Sequence, residues 1–195
     1  MNGIGRNIFQ KYRKSIMLIV GIIRIFPKKL NLRILSLLRR KRGYSGIILR
    51  YMFLRSVAKS CGDNVVIMED VYLYHPENIS FGSNVSIHPM CYVQGSKMGI
   101  DIGDNVSIAH GTTIIAESHT YSEPNIPIKY QKMESEKIVI KSNVWIGAKC
   151  TILNGIHIES GSIIGANSVV THHIGENEIV AGSPARTIKR RIENA

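Results

Sequence analysis

Ile140-Lys-Ser-Asn-Val-Trp-Ile146-Gly-Ala-Lys-Cys-Thr-Ile152-Leu-Asn-Gly-Ile-His-Ile158-Glu-Ser-Gly-Ser-Ile-Ile164-Gly-Ala-Asn-Ser-Val-Val170 sets an aliphatic residue at every sixth position. The same step runs through three earlier groups: Cys61, Ile67 and Leu73; Phe81, Ile87 and Val93; Ile102, Ile108 and Ile114. Four residues after many of these comes a small or β-branched side chain: Val85, Val106, Thr112, Val144, Cys150, Ile156, Ser162, Ser168. An amphipathic helix repeats near 3.6 and a half-buried strand at 2, so neither yields a period of six. A strand of about four residues followed by a tight corner does. Three such faces close a coil of roughly 18 residues, and coils stack at the ~4.8 Å spacing of paired strands. Asn64, Asn84, Asn105, Asn143 and Asn167 sit where the corners fall, and Asn tolerates the left-handed backbone that such corners need. The pattern predicts an all-β body, a parallel β-helix of hexapeptide repeats over residues 61–191, followed by a short tail, 192–195.

One step in the register is long. Ile114 and Ile140 are separated by one six-residue step plus 20 residues, which places an inserted loop at 117–137 between two faces of the prism. Loops of this length in a compact repeat are commonly functional, and Tyr121, Pro124, Pro127 and Tyr130 predict an ordered one.

Outward from the repeat the chain changes character. The 195 residues carry a formal charge of +11 and are 44% hydrophobic, which excludes an acidic disordered polymer. Residues 1–60 hold 15 of the 25 Lys and Arg and none of the 14 Asp and Glu, whereas the remainder nets −4. A basic arm therefore joins a mildly acidic body. The arm reads as short helices, with apolar stripes at Ile47, Tyr51, Leu54 and Ala58 and at Leu30, Ile34 and Leu38. Ile16–Phe26 is apolar nearly all round, and Arg33, Arg39, Arg40, Lys41 and Arg42 fill the gaps. Two readings stand side by side: a helical cap with a solvated basic face, or a helix lying in an anionic membrane interface. The longest apolar run, Ile16–Ile23, is far short of the roughly 20 residues needed to span a bilayer. No small-x-small cleavage pattern follows it, so a cleaved leader is not expected. Nor does the arm carry a helix-turn-helix or stacking motif, so no nucleic-acid partner is expected. Cys61, Cys91 and Cys150 are an odd number without close spacing, which argues against a disulfide framework or a CxxC zinc site and fits a reducing, cytoplasmic compartment.

Ile102-Gly-Asp-Asn-Val106, Ser142-Asn-Val-Trp-Ile-Gly147, Ile164-Gly-Ala-Asn-Ser-Val-Val170 and the tail Ala181-Gly-Ser-Pro-Ala-Arg186 together resemble the hexapeptide-repeat acyltransferases. The likeness is to the branch holding galactoside and maltose O-acetyltransferases and the O-acetyltransferases of bacterial surface polysaccharides. It implies a left-handed β-helix, acetyl-CoA as co-substrate, no metal, a sugar hydroxyl as acceptor, and a homotrimer with each site between two subunits. It also implies residue roles. His119, in Glu117-Ser-His-Thr-Tyr-Ser122, matches the catalytic base, although an isolated loop histidine is ordinarily just solvated. Trp145 would line the pantetheine channel, against the plainer role of covering apolar surface between coils. The Ala148 N–H would face the thioester. Ala166, Thr171 and Pro184 would follow the CoA arm, and Arg186 and Lys189 would meet its phosphates.

Two departures from the family pattern stand out. His172 replaces the Lys common after that Thr. The stretch His88-Pro-Met-Cys-Tyr-Val93 lacks the Asn that helps place galactose or maltose, which leaves His88, Tyr92 and Tyr121 as acceptor candidates, with His110 as a corner residue. Three other readings are carried: an acyltransferase acting on serine or an amino-sugar nucleotide; a γ-carbonic-anhydrase-like zinc enzyme using His88, His110 and His119; and a scaffold without catalysis. On the membrane reading, the arm would seat the enzyme on the inner face of the membrane, beside lipid-linked glycans.

Overall fold

In a computed structural model, residues 4–191 are described, with side chains from residue 9 onward; the tail 192–195 lies outside them. From Ser60 the chain winds through five triangular coils. Elements are numbered along the chain. Sheet A stacks β1 (Ser60–Cys61), β4 (Ile79–Phe81), β7 (Ile100–Ile102), β12 (Ile138–Ile140) and β15 (His157–Ile158). Sheet B stacks β2 (Val66–Ile67), β5 (Ser86–Ile87), β8 (Ser107–Ile108), β13 (Trp145–Ile146) and β16 (Ile163–Ile164), then a terminal hairpin, β18 (Glu178–Gly182) with β19 (Ala185–Arg190). Sheet C stacks β3 (Tyr72–Tyr74), β6 (Tyr92–Gln94), β9 (Thr113–Ile115), β14 (Thr151–Ile152) and β17 (Val169–Val170). Pairing between coils is parallel throughout, so this is a parallel β-helix.

The six-residue columns of the sequence are the pairing register. Ile67, Ile87, Ile108, Ile146 and Ile164 stack rung on rung, as do Leu73, Val93, Ile114, Ile152 and Val170. Apart from half-buried Cys61 and Leu73, the column residues are buried, and the corner residues Val85, Val106, Thr112, Val144, Cys150, Ser162 and Ser168 are buried with them. All five corner asparagines adopt positive φ, between 56° and 61°. Asn64 donates to Asn84 and Asn84 to Asn105, at 3.0 and 3.1 Å, forming a ladder down one edge. Beside it, Gly62, Gly82 and Gly103 stack so closely that a Cβ on Gly82 would lie 2.5 Å from the Gly103 carbonyl carbon. Only glycine fits there.

The arm folds as α1 (Ile4–Ile23), α2 (Lys28–Leu38) and α3 (Gly43–Val57), with α1 and α2 both packed on α3 and α3 seated on the first coil. Its buried faces differ from the predicted stripes. On α2 the buried residues are Asn31 and Leu35, while Leu30 is uncovered. On α3, Tyr51 and Leu54 are buried as expected, but Gly46, Arg50 and Val57 join them, and Ile47 and Ala58 are only half-buried. The reason lies in two buried polar side chains that tie the helices together. Arg50 donates to Ile67 O of the first coil and to Leu38 O and Lys41 O at the end of α2, at 2.6–3.0 Å. Asn31 donates to Ile23 O at the end of α1. Apart from Ile67 O, these carbonyls lie at or just beyond helix ends, where the intrahelical bonds run out; Ile23 O and Leu38 O also accept Phe26 N–H and Lys41 N–H of the following turns. On the outer side, Arg13 and Arg55 both reach Asp63 of the first corner.

Candidate active site

The long register step is a β-hairpin, β10 (Glu117–His119) paired antiparallel with β11 (Met133–Ser135), so His119 lies opposite Met133. Side chains of the neighbouring coil hold its base. Ser96 of that coil and the hairpin's own Ser135 both donate their hydroxyls to Ala116 O, and Gln94 bonds the Glu117 carboxylate. Lys137, where the chain returns to the coil, pairs with Asp101 of β7. Burial pushes Asp101 up, but hydrogen bonds from Lys137 and Ser80 outweigh it and hold the carboxyl below its usual range. The tip is organised by Gln131, which is buried and accepts from Glu123 N while donating to Glu123 O and Ile126 O. The outer surface of the tip remains apolar and uncovered at Tyr121, Ile126, Ile128, Tyr130 and Met133. His119 itself is exposed at the start of this hairpin.

Trp145 opens β13 on sheet B, pointing outward and 54% exposed. The following corner is pinned from below: the Thr112 hydroxyl donates to Gly147 O and accepts from Cys150 N–H. Gly147 N–H goes to Ile164 O and Lys149 N–H to His110 O, leaving the Ala148 N–H between them without a partner among the described residues. One coil further on, Ala166 occupies the same corner, so close that a Cβ on Gly147 would meet its amide at 2.6 Å. Ala181 stacks beyond Gly165 in the same way, and the terminal hairpin carries exposed Pro184, Arg186 and Lys189 past it. Trp145, Ala148, Ala166, Pro184, Arg186 and Lys189 thus follow one track along sheet B and its edge with sheet C. Thr171 and His172 do not: both follow β17, at the opposite edge of sheet C.

The acceptor candidates divide in the same way. His88 and His110 sit on the track's own corner, in the two coils before Ala148, since Ile108 O takes His88 N–H and Ile146 O takes Ala109 N–H. His88 is therefore about two coil spacings, or roughly 10 Å, from Gly147. Tyr92 lies mid-sheet on C, its ring 5.4 Å from Tyr74 and its hydroxyl bonded to Gln94, while Tyr121 is in the hairpin tip. His119 stands at the other edge of sheet C from His88 and His110, so the three imidazoles do not converge within one chain, and no group of three metal-binding side chains occurs among the described residues.

The cysteines offer no nucleophile. Burial pushes Cys61 up to about 12 and Cys91 to about 11, and raises Cys150 as well. Cys91 and Cys150 donate S–H bonds to Ala109 O and Gly165 O. A thiol held protonated is inert.

Within one chain, then, the imidazole and the tryptophan track stand on opposite edges of sheet C, a full face of the prism apart. A cleft of about 460 Å³ opens elsewhere, between α2 and the first coil, lined by Arg39, Arg50, Tyr72, Tyr74, His75 and Glu77 among apolar residues.

A family profile described as bacterial transferase hexapeptide (six repeats) matches residues 137–172, which include Trp145, Ala148 and Ala166 but stop short of His119 and the terminal hairpin. A protein of Escherichia coli K12 provisionally named as a lipopolysaccharide-biosynthesis O-acetyltransferase is 36% identical over 57% of this chain and 60% of its own length, so the chain spans well under two thirds of that relative. The N-acyltransferase AntD of Bacillus cereus, solved with dTDP-4-amino-4,6-dideoxyglucose and coenzyme A, is 30% identical with a TM-score of 0.58, covering 69% of this chain and 85% of its own. A maltose O-acetyltransferase of Clostridium difficile superposes with a TM-score of 0.72 at 26% identity over 86% of this chain and 88% of its own. Stacked six-residue coils, the hairpin that interrupts them and sequence identity that extends beyond the repeat agree, and the chain belongs to the hexapeptide-repeat acyltransferases.

Proposed function

We propose that the protein transfers an acetyl group from acetyl-CoA to a sugar hydroxyl, in sites shared between neighbouring copies of a homotrimer. The observation that carries this reading is the separation of His119 from the Trp145 track, together with the uncovered apolar tip of the hairpin that bears His119. A flat-sided prism with an apolar finger at one edge is suited to reach onto the next copy, bringing His119 of one chain to Trp145 of another.

In such a site, the CoA thioester lies along Trp145, with Ala166 and Pro184 beside the pantetheine arm and Arg186 and Lys189 toward the phosphates. Thr171 would have to contribute from a different edge. His119 takes the proton of the acceptor hydroxyl as its oxygen attacks the thioester carbonyl carbon. The tetrahedral oxyanion accepts a hydrogen bond from Ala148 N–H, which has no partner among the described residues. Collapse breaks the C–S bond, and the proton held by His119 passes to the departing thiolate.

The acceptor is read as a sugar of a surface-glycan precursor, with His88 and Tyr92 as its contacts. The O-acetyltransferase similarities support this, and the AntD similarity favours an amino-sugar nucleotide as the second reading. Acetyl transfer to sugar acceptors, followed by thiol release, decides the activity. His119→Ala should lower it about 10²- to 10⁴-fold with the trimer intact by light scattering. Unchanged turnover would remove His119 from the mechanism.

A further inference from the structure

The outer surface of α1 and α2 exposes large apolar side chains that nothing among the described residues covers. On α1 the buried residues Phe9, Ile16, Val20 and Ile23 form one stripe against α3. Leu18 and Ile22, on the opposite side of the helix, are uncovered, and Ile25 and Phe26 in the following turn continue their line. On α2, Asn31 and Leu35 face inward while Leu30 and Leu37 face out. Leu18, Ile25 and Leu37 are 71%, 81% and 79% exposed. A soluble helix alternates a core face with a polar one; here large apolar side chains stand on the outer face, interspersed with the exposed cations Lys11, Lys14, Arg24, Lys28, Lys29, Arg33, Arg40 and Lys41. The plate is also held in one shape. Asn31 fastens α2 to the end of α1, and Arg50 fastens the end of α2 to α3 and the first coil.

We infer that this two-helix face is a membrane seat, in which Leu18, Ile22, Ile25, Phe26, Leu30 and Leu37 enter the interface of an anionic bilayer while the cations interspersed among them meet its headgroups. Charge selects the occupant. Residues 1–60 contain 15 Lys and Arg and no acid, so pairing this face with the same face of a second copy would set like charges together, whereas anionic lipid neutralises them. No described helix is long and apolar enough to cross a membrane, so the plate lies in the interface rather than spanning it. The sequence alone allowed either a cap or an interfacial helix; α3 packs on the first coil as a cap, and the inference assigns the second role to the outer sides of α1 and α2.

Flotation of the full-length protein with phosphatidylcholine vesicles, with and without anionic phosphatidylglycerol, tests this independently of acetyl transfer. The expected result is binding to the anionic vesicles alone, weakened by salt. The variant Ile25→Glu/Leu37→Glu should lower the bound fraction at least tenfold, with unchanged helicity and oligomeric state, because both side chains are exposed. Arg33→Glu/Arg40→Glu should abolish the preference for anionic lipid. No flotation of the unaltered protein at low salt would overturn the inference. So would binding indifferent to Ile25→Glu/Leu37→Glu, or dissociation of the oligomer by that variant, which would show that a second copy covers the face. Activity on a soluble acceptor should be unchanged in both variants, so failure here leaves the catalytic reading standing.

Discussion

The coils and the arm are both rich in buried aliphatics, yet they are held by opposite means. In the coils every rung repeats the one below, so the buried polar groups are small: Ser162, Ser168 and Thr112 tucked into corners, each bonded to backbone. In the arm the junctions are long polar side chains reaching across helices, Arg50 and Asn31. Repetition needs only shape, because identical backbone segments satisfy one another down the stack. Three helices of unequal length meet once and have no such register, so their carbonyl ends must be met individually. The coil is therefore sensitive to volume and the arm to the loss of a single hydrogen-bonding group.

Substitutions can sharpen that contrast. Gly82→Ala should be the most damaging, since its Cβ would meet the Gly103 carbonyl carbon at 2.5 Å and the Asp104 amide at 2.7 Å, backbone atoms that cannot turn aside. A loss of about 3 kcal/mol is expected by denaturant unfolding, and a neutral result would mean the coils can separate locally. Arg50→Met should cost about 2–3 kcal/mol by leaving Ile67 O and Lys41 O unmet and Leu38 O with only the Lys41 N–H. Hydrogen exchange should place that loss in α2 and α3, with sheets A, B and C still protected; uniform loss would show that arm and body unfold as one.

Alkaline titration probes the boundary between the two regions. Burial raises Tyr51 and Cys61 to about 12 from ordinary values of 10.0 and 9.0. Their neutral forms are favoured in the folded state, so stability is intact below pH 9 and is lost as pH rises toward 12, where the unfolded chain ionises first. All three thiols should resist labelling at neutral pH and react on unfolding; rapid labelling of Cys61 in the native protein would contradict this. The smallest effect is on the acid side. Asp101, depressed by Lys137, stabilises the return of the hairpin above the ordinary carboxylate range, and that contribution fades as pH falls through its folded value. Both side chains are more than a third exposed, so Lys137→Ala should cost less than about 1 kcal/mol.

This contrast also explains what the sequence could disclose. The columns Ile67–Ile164 and Leu73–Val170 were legible because one geometric period generates both the sequence and the stack, and the 20-residue excess after Ile114 marked the hairpin. The faces of α1 and α2 were not, because a helix apolar all round gives no phase, and the outward Leu30 and Leu37 look in sequence like core. Arg50 was one cation among 15 with no mark to separate it. Gln131 was equally silent, since its partners are backbone atoms five and eight residues away. For the site, the sequence supplied His119 and the Trp145 track by likeness of motif; only the winding of the chain shows that they stand on different edges of the prism.

Whether those edges meet across a subunit boundary is tested most directly by mixing two defective chains. His119→Ala lacks the imidazole, and Trp145→Asp sets a charge in the thioester track. Each homotrimer should be nearly inactive. After subunit exchange at equal amounts, about a quarter of sites should pair an intact His119 with an intact Trp145 from different copies, and acetyl transfer should recover to that extent. Mixed trimers that remain inactive would show that both residues must come from one chain, and the shared-site account would be wrong.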